Sequence, residues 1–91
     1  MEQKFLEALA ACQNKAAALG VRIRPVTQFS QVQRCLSGHR ESDGFWDLAE
    51  KNRLELSLEA LAVKKQFTGL FTDEQANTAL ERLLSAGYTF L

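Results

Sequence analysis

Apolar residues repeat at helical spacing through most of this chain, and only two short stretches break that rhythm with strict alternation. Val21 to Pro25 alternates apolar with basic residues, and Leu54 to Leu58 alternates leucine with Glu55 and Ser57. The first is too short and isolated to build a sheet, and Pro25 biases Arg24 toward extended backbone, so it reads as a connector. The second is flanked by helical pattern on both sides and is read as part of a helix. With no sheet to build, the chain is confined to an all-α fold.

Four helices are expected. Phe5, Leu9, Cys12, Ala16 and Leu19 fall on one stripe, which predicts a helix over about 2–19 closed by Gly20 in a left-handed cap. A second is expected to start at Thr27 as N-cap, with Ser30 and Gln33 as a competing capping box. It would bury Phe29, Val32, Cys35 and Leu36 and end at Gly38. After a polar turn, Ser42 or Asp43 can cap a third, over 43–67, whose buried face is traced by Phe45, Leu48 or Ala49, Asn52, Leu56, Ala60, Val63 and Phe67. A single helix of that span would be about 37 Å long at 1.5 Å per residue. A break at Ser57, a second potential N-cap, would divide it and make five helices in all.

The best-marked element is the last. Thr72 and Gln75 have capping-box spacing, Phe71 and Ala76 occupy hydrophobic-staple positions, and Asp73 and Glu74 place negative charge in the first turn. Ala76, Ala79, Leu80, Leu83 and Leu84 then form the apolar face of a helix over about 72–86, with Gly87 as its stop. The tail from Tyr88 to Leu91 is apolar enough to cover a core or a partner.

At 91 residues these helices are expected to form one domain, a small orthogonal bundle around a single core, since so short a chain must commit nearly every element to the same core. The amino terminus lacks an apolar run of signal-peptide length, and no stretch approaches the roughly 20 apolar residues of a membrane span. A cytoplasmic protein that does not enter the membrane is therefore expected. Cys12 and Cys35 have no paired spacing and lie on apolar stripes, which suggests buried free thiols.

Charge is the feature that points to function. Between Glu7 and Glu41 there is no acid, while Lys15, Arg22, Arg24, Arg34 and Arg40 add five positive charges. From Glu41 to Glu59 six acids face two bases, so a formal net charge of zero conceals a basic block followed by an acidic one. Arg22, Arg24, Arg34 and Arg40 form the candidate partner-binding set, because the guanidinium fork suits carboxylate and phosphate. The competing expectation is internal neutralisation, with the acids of the third helix packed beside the second.

No motif for catalysis or a cofactor is found. Cys35 and His39 are spaced four apart, but with Cys12 they fall short of the four ligands of a closed zinc site. His39 would be the one general base effective near neutral pH, and it lies in a polar turn. Carboxylate pairs such as Asp43 with Asp47, or Glu55 with Glu59, read as a solvated helix face. Trp46, Phe67, Leu70 and Phe71 could anchor a partner, but in so small a domain large aromatics are more often core. The leading expectation is a non-enzymatic protein-binding module, a regulator or inhibitor that occupies a surface on a partner, itself acidic where the arginines dock. The alternative is a DNA-binding helical domain using the basic 15–40 block.

Overall fold

The computed structural model describes residues 1–38 and 40–88, and within them every regular element is helical. The α-helices are α1 (Glu2–Ala18), α2 (Phe29–Ser37), α3 (Phe45–Glu50), α4 (Leu58–Ala62) and α5 (Asp73–Ser85). Two 3₁₀ turns, Leu54–Leu56 and Lys65–Leu70, flank α4. This is the small helical bundle that the apolar spacing predicts.

The sequence signals at the ends of α1 and α5 do what their chemistry suggests. Gly20 takes φ 88° beyond α1, and the amide of Val21 returns to the carbonyl of Ala16 at 3.0 Å. Beyond α5, Gly87 takes φ 83° and the amide of Tyr88 returns to Leu83 at 2.9 Å. Both are Schellman endings. Thr72 Oγ1 accepts from the Gln75 amide and Gln75 Oε1 from the Thr72 amide, each at 3.1 Å, which completes the capping box of α5. For α2 the N-cap is Gln28, one residue after Thr27, because Gln31 reaches back to accept from the amides of both Thr27 and Gln28. Gly38 does follow α2, but in extended rather than left-handed backbone.

The predicted third helix is divided twice. Asn52, expected on its buried face, instead lies exposed at φ 58° and closes α3. The amide of Arg53 bonds to Leu48 at 2.8 Å and that of Asn52 to Ala49 at 3.1 Å, a third Schellman ending with asparagine where glycine is usual. Ser57 is the second break, as its capping potential suggests: its Oγ accepts from the Ala60 amide at 3.1 Å and donates to the Leu54 carbonyl at 2.7 Å. Neither Ser42 nor Asp43 caps α3; its N-cap is Gly44.

All five residues of α4 are buried, which makes it the centre of the bundle, packed on α5, α1 and the two 3₁₀ turns. A helix apolar on nearly every side belongs in such a position. Phe5 of α1 anchors one core cluster, with ring centroids 5.8, 5.1 and 5.3 Å from Phe29, Phe67 and Phe71 in edge-to-face geometry. A second cluster gathers Ala16, Val21, Phe45, Leu48, Leu54, Leu56, Ala60 and Leu83. Val63 packs against both, and Tyr88 against the second. The rest of the apolar tail, Thr89 to Leu91, lies outside the described residues. Among the described residues no helix is long and apolar enough to cross a membrane.

Candidate interaction surface

The segment between α2 and α3 is polar in sequence, and hydrogen bonds hold its described ends. Glu59 of α4 and Arg82 of α5 supply them from below. Glu59 is 0% exposed and Arg82 9%, and Arg82 Nη1 lies 3.2 Å from Glu59 Oε2. Arg82 Nη2 donates to the carbonyls of Cys35 at 3.1 Å and Gly38 at 3.0 Å, at the end of α2. At the far end of the segment, Ser42 donates its amide to Glu59 Oε2 at 2.8 Å and its hydroxyl to Glu59 Oε1. A single buried ion pair thus fastens both ends of the loop. Among the described residues no buried side-chain nitrogen or oxygen lacks a hydrogen-bond partner, and this network is satisfied within the fold.

A second tie runs to the connector. Asp43 Oδ2 accepts from the Arg24 amide at 2.8 Å, and Gly44 takes φ 77° so closely against the connector that an added Cβ would meet Ile23 Cγ1 at 2.7 Å. The loop therefore delivers α3 in a fixed orientation. Phe45 and Leu48 turn into the core, and Trp46, about 100° further round the helix, turns out. It is 54% exposed, its indole N–H donates to Glu41 Oε1 at 2.8 Å, and its ring meets Phe45 edge-on at 5.3 Å. A hollow lies on each side of it, one toward Arg40 and Asp47, the other toward Thr78, Glu81 and Ser85 of α5. Leu84, three residues after Glu81, is 55% exposed. The expectation that the large aromatics are core holds for Phe67 and Phe71 and fails for Trp46, which lies off the stripe that Phe45 and Leu48 bury.

The four candidate arginines are all exposed. Arg22 and Arg24 alternate with the inward Val21 and Ile23 on the connector, Arg34 is on α2, and Arg40 is in the α2–α3 segment. Arg24 and Arg40 border different hollows. Internal neutralisation by ion pairs is not found: among the described residues, the acids of the second block pair only as Glu55 with Arg53 and Glu59 with Arg82. Asp43 does meet Arg24, but through the main-chain amide.

Glu59 and Arg82 are the residues that reading the sequence misses. One signal was present for Glu59, the sole charged residue between Glu55 and Lys64 in an otherwise apolar run. The apolar stripe of α5 places Leu84 inside, whereas the buried residues are Ala79, Arg82 and Leu83, with Leu80 only half-buried. Once Arg82 has a buried partner, the face of α5 rotates to include it.

Cys12 and Cys35 are free thiols, half-buried rather than fully buried. Burial pushes both pKa values up; Glu59 adds to the rise at Cys35, and Arg82, whose Nη1 lies 3.9 Å from its sulfur, offsets part of it. Among the described residues no three of His, Cys, Asp and Glu gather as metal ligands would. His39, the other half of the Cys35 spacing, lies outside the described residues. Comparison with protein-family models, with curated proteins and with solved structures finds no match.

Proposed function

We propose that this protein is a small, non-catalytic cytoplasmic protein-binding module that acts by occupying a surface of a larger partner. Trp46 is the apolar anchor, and Arg22, Arg24, Arg34 and Arg40 are the contacts to acidic groups. The observation that carries this reading is the exposure of Trp46, 54%, in a chain whose phenylalanines, among the described residues, are all buried. Tryptophan and arginine are the side chains that most often dominate binding energy at protein interfaces. Here the tryptophan is held by Glu41 and Phe45, so little side-chain entropy remains to be lost on docking. These guanidiniums form no ion pair among the described residues, so they can meet a partner without first breaking one there.

The test is affinity capture from the native host with three baits: wild type, Trp46→Ala, and Arg24→Glu with Arg34→Glu. A partner retained by wild type and lost by both variants supports the reading, and one retained equally by all three overturns it. The alternative, duplex DNA contacted by the connector and α2, predicts binding to mixed-sequence duplex that weakens steeply with salt and ignores Trp46→Ala.

A further inference from the structure

Beneath the connector lies a hollow of about 150 Å³, away from Trp46. Its floor is the buried Leu9, Leu56 and Leu58, and its sides include the half-buried Ile23 and Val26. A cavity of about this volume is enough to admit a six-carbon ring. Its lining includes one residue of each charge, Arg24 and Asp43, both exposed. The backbone between them is fixed: the Arg24 amide donates to Asp43 Oδ2 at 2.8 Å, and the Arg24 carbonyl accepts from Gln13 Nε2 at 3.3 Å. Yet the guanidinium and the carboxylate do not close on one another, since neither ion pair within 4.0 Å among the described residues involves either group. Asp43 Oδ1 also accepts no hydrogen bond there.

From this juxtaposition of an apolar hollow with separated, unpaired opposite charges, we infer that the site binds a free apolar α-amino acid of the leucine class. The carboxylate of the ligand meets the Arg24 guanidinium, its ammonium group meets Asp43 Oδ1, and its side chain enters the hollow. A simple alkyl carboxylate would bring a like charge toward Asp43, and an alkylamine would bring one toward Arg24. A zwitterion satisfies both, and only an apolar side chain uses the space below. The inference shares Arg24 with the proposed partner surface but does not rest on that reading, since its test uses the protein alone.

The test is a titration of the ¹⁵N-labelled protein with L-leucine, followed by amide shifts. Saturable shifts at residues 23–26 and 56–58 are expected, with α5 residues such as Leu84 unmoved. Leucinamide, which lacks the carboxylate, and 4-methylpentanoate, which lacks the ammonium, should each bind about tenfold or more weakly, as should alanine for want of an apolar body. Arg24→Gln and Asp43→Asn should each weaken leucine by a similar factor while spectra elsewhere keep their positions. Absence of a saturable shift with leucine into the tens of millimolar overturns the inference. So does equal binding of either analogue or of alanine, which would mean that the paired charges or the hollow play no part in recognition.

Discussion

Burying a carboxylate costs several kcal/mol unless its charge and lone pairs are satisfied, and Glu59 meets that requirement with one guanidinium and two donors from Ser42. Removing one member of such a pair leaves the other buried and uncompensated. Arg82→Met should therefore destabilise the fold by about 3–5 kcal/mol, whereas Arg82→Met combined with Glu59→Leu should recover a large part of that loss. Urea denaturation of the single and double variants decides it, and a double variant no better than Arg82→Met would mean that packing, not charge, sets the cost. The same measurement separates neighbours on α5. Leu83, at 0% exposure, should lose about 2–5 kcal/mol as alanine. Leu84, at 55%, should stay within about 0.5 kcal/mol. The thiols add a pH dependence. Burial raises the pKa of Cys12 and Cys35, so the folded state holds their protons more tightly than the unfolded chain does. Their contribution to stability is fully present below the ordinary thiol value of about 8.5 and is lost as pH rises through the raised folded values. Denaturation midpoints should accordingly fall with alkaline pH, and less so when both positions are alanine.

At the scale of elements, the ends of helices decide the fold. Thr72→Ala should cost about 1 kcal/mol, the usual worth of an exposed cap. Ser57→Ala should cost more, toward about 2 kcal/mol, because its buried hydroxyl joins the 3₁₀ turn to α4 through two bonds. Thermal melts rank the two, and equal losses would show that burial of Ser57 adds nothing. The caps at Gly20, Thr72 and Gly87 are legible in the sequence because each is written in neighbouring residues. Ser57 is half legible: its capping potential is local, but the choice between continuing and breaking is not. Asn52 is illegible, since its helical spacing fits a buried stripe and only the packing of Leu48 and Leu54 in one cluster demands a reversal there. The candidate surface fares worst. The segment before Trp46 is fastened by Glu59 and Arg82, 23 residues apart, and a pairing over that distance leaves no mark on periodicity. The exposure of the four arginines does follow from charge alone.

Across the whole molecule, the basic and acidic blocks touch, as where the Arg24 amide meets Asp43, but no ion pair joins them among the described residues. Reversing Arg24 and Arg34 together to glutamate should change stability by no more than about 0.5 kcal/mol, as for exposed unpaired charges. A larger loss in thermal melts, restored by reversing Asp47 or Glu50, would reveal a coupling that the static contacts do not contain. The clasp formed by Arg82 also sets an order of assembly. The carbonyls of Cys35 and Gly38 receive their donor from a residue synthesised more than forty positions later. On the ribosome, a nascent chain stalled before residue 82 would carry the complete Trp46 segment without the side chain that fastens it. Trp46 emission in such a chain should be that of a solvated indole and should blue-shift only once α5 has emerged, so the surface becomes competent only after α5 is made.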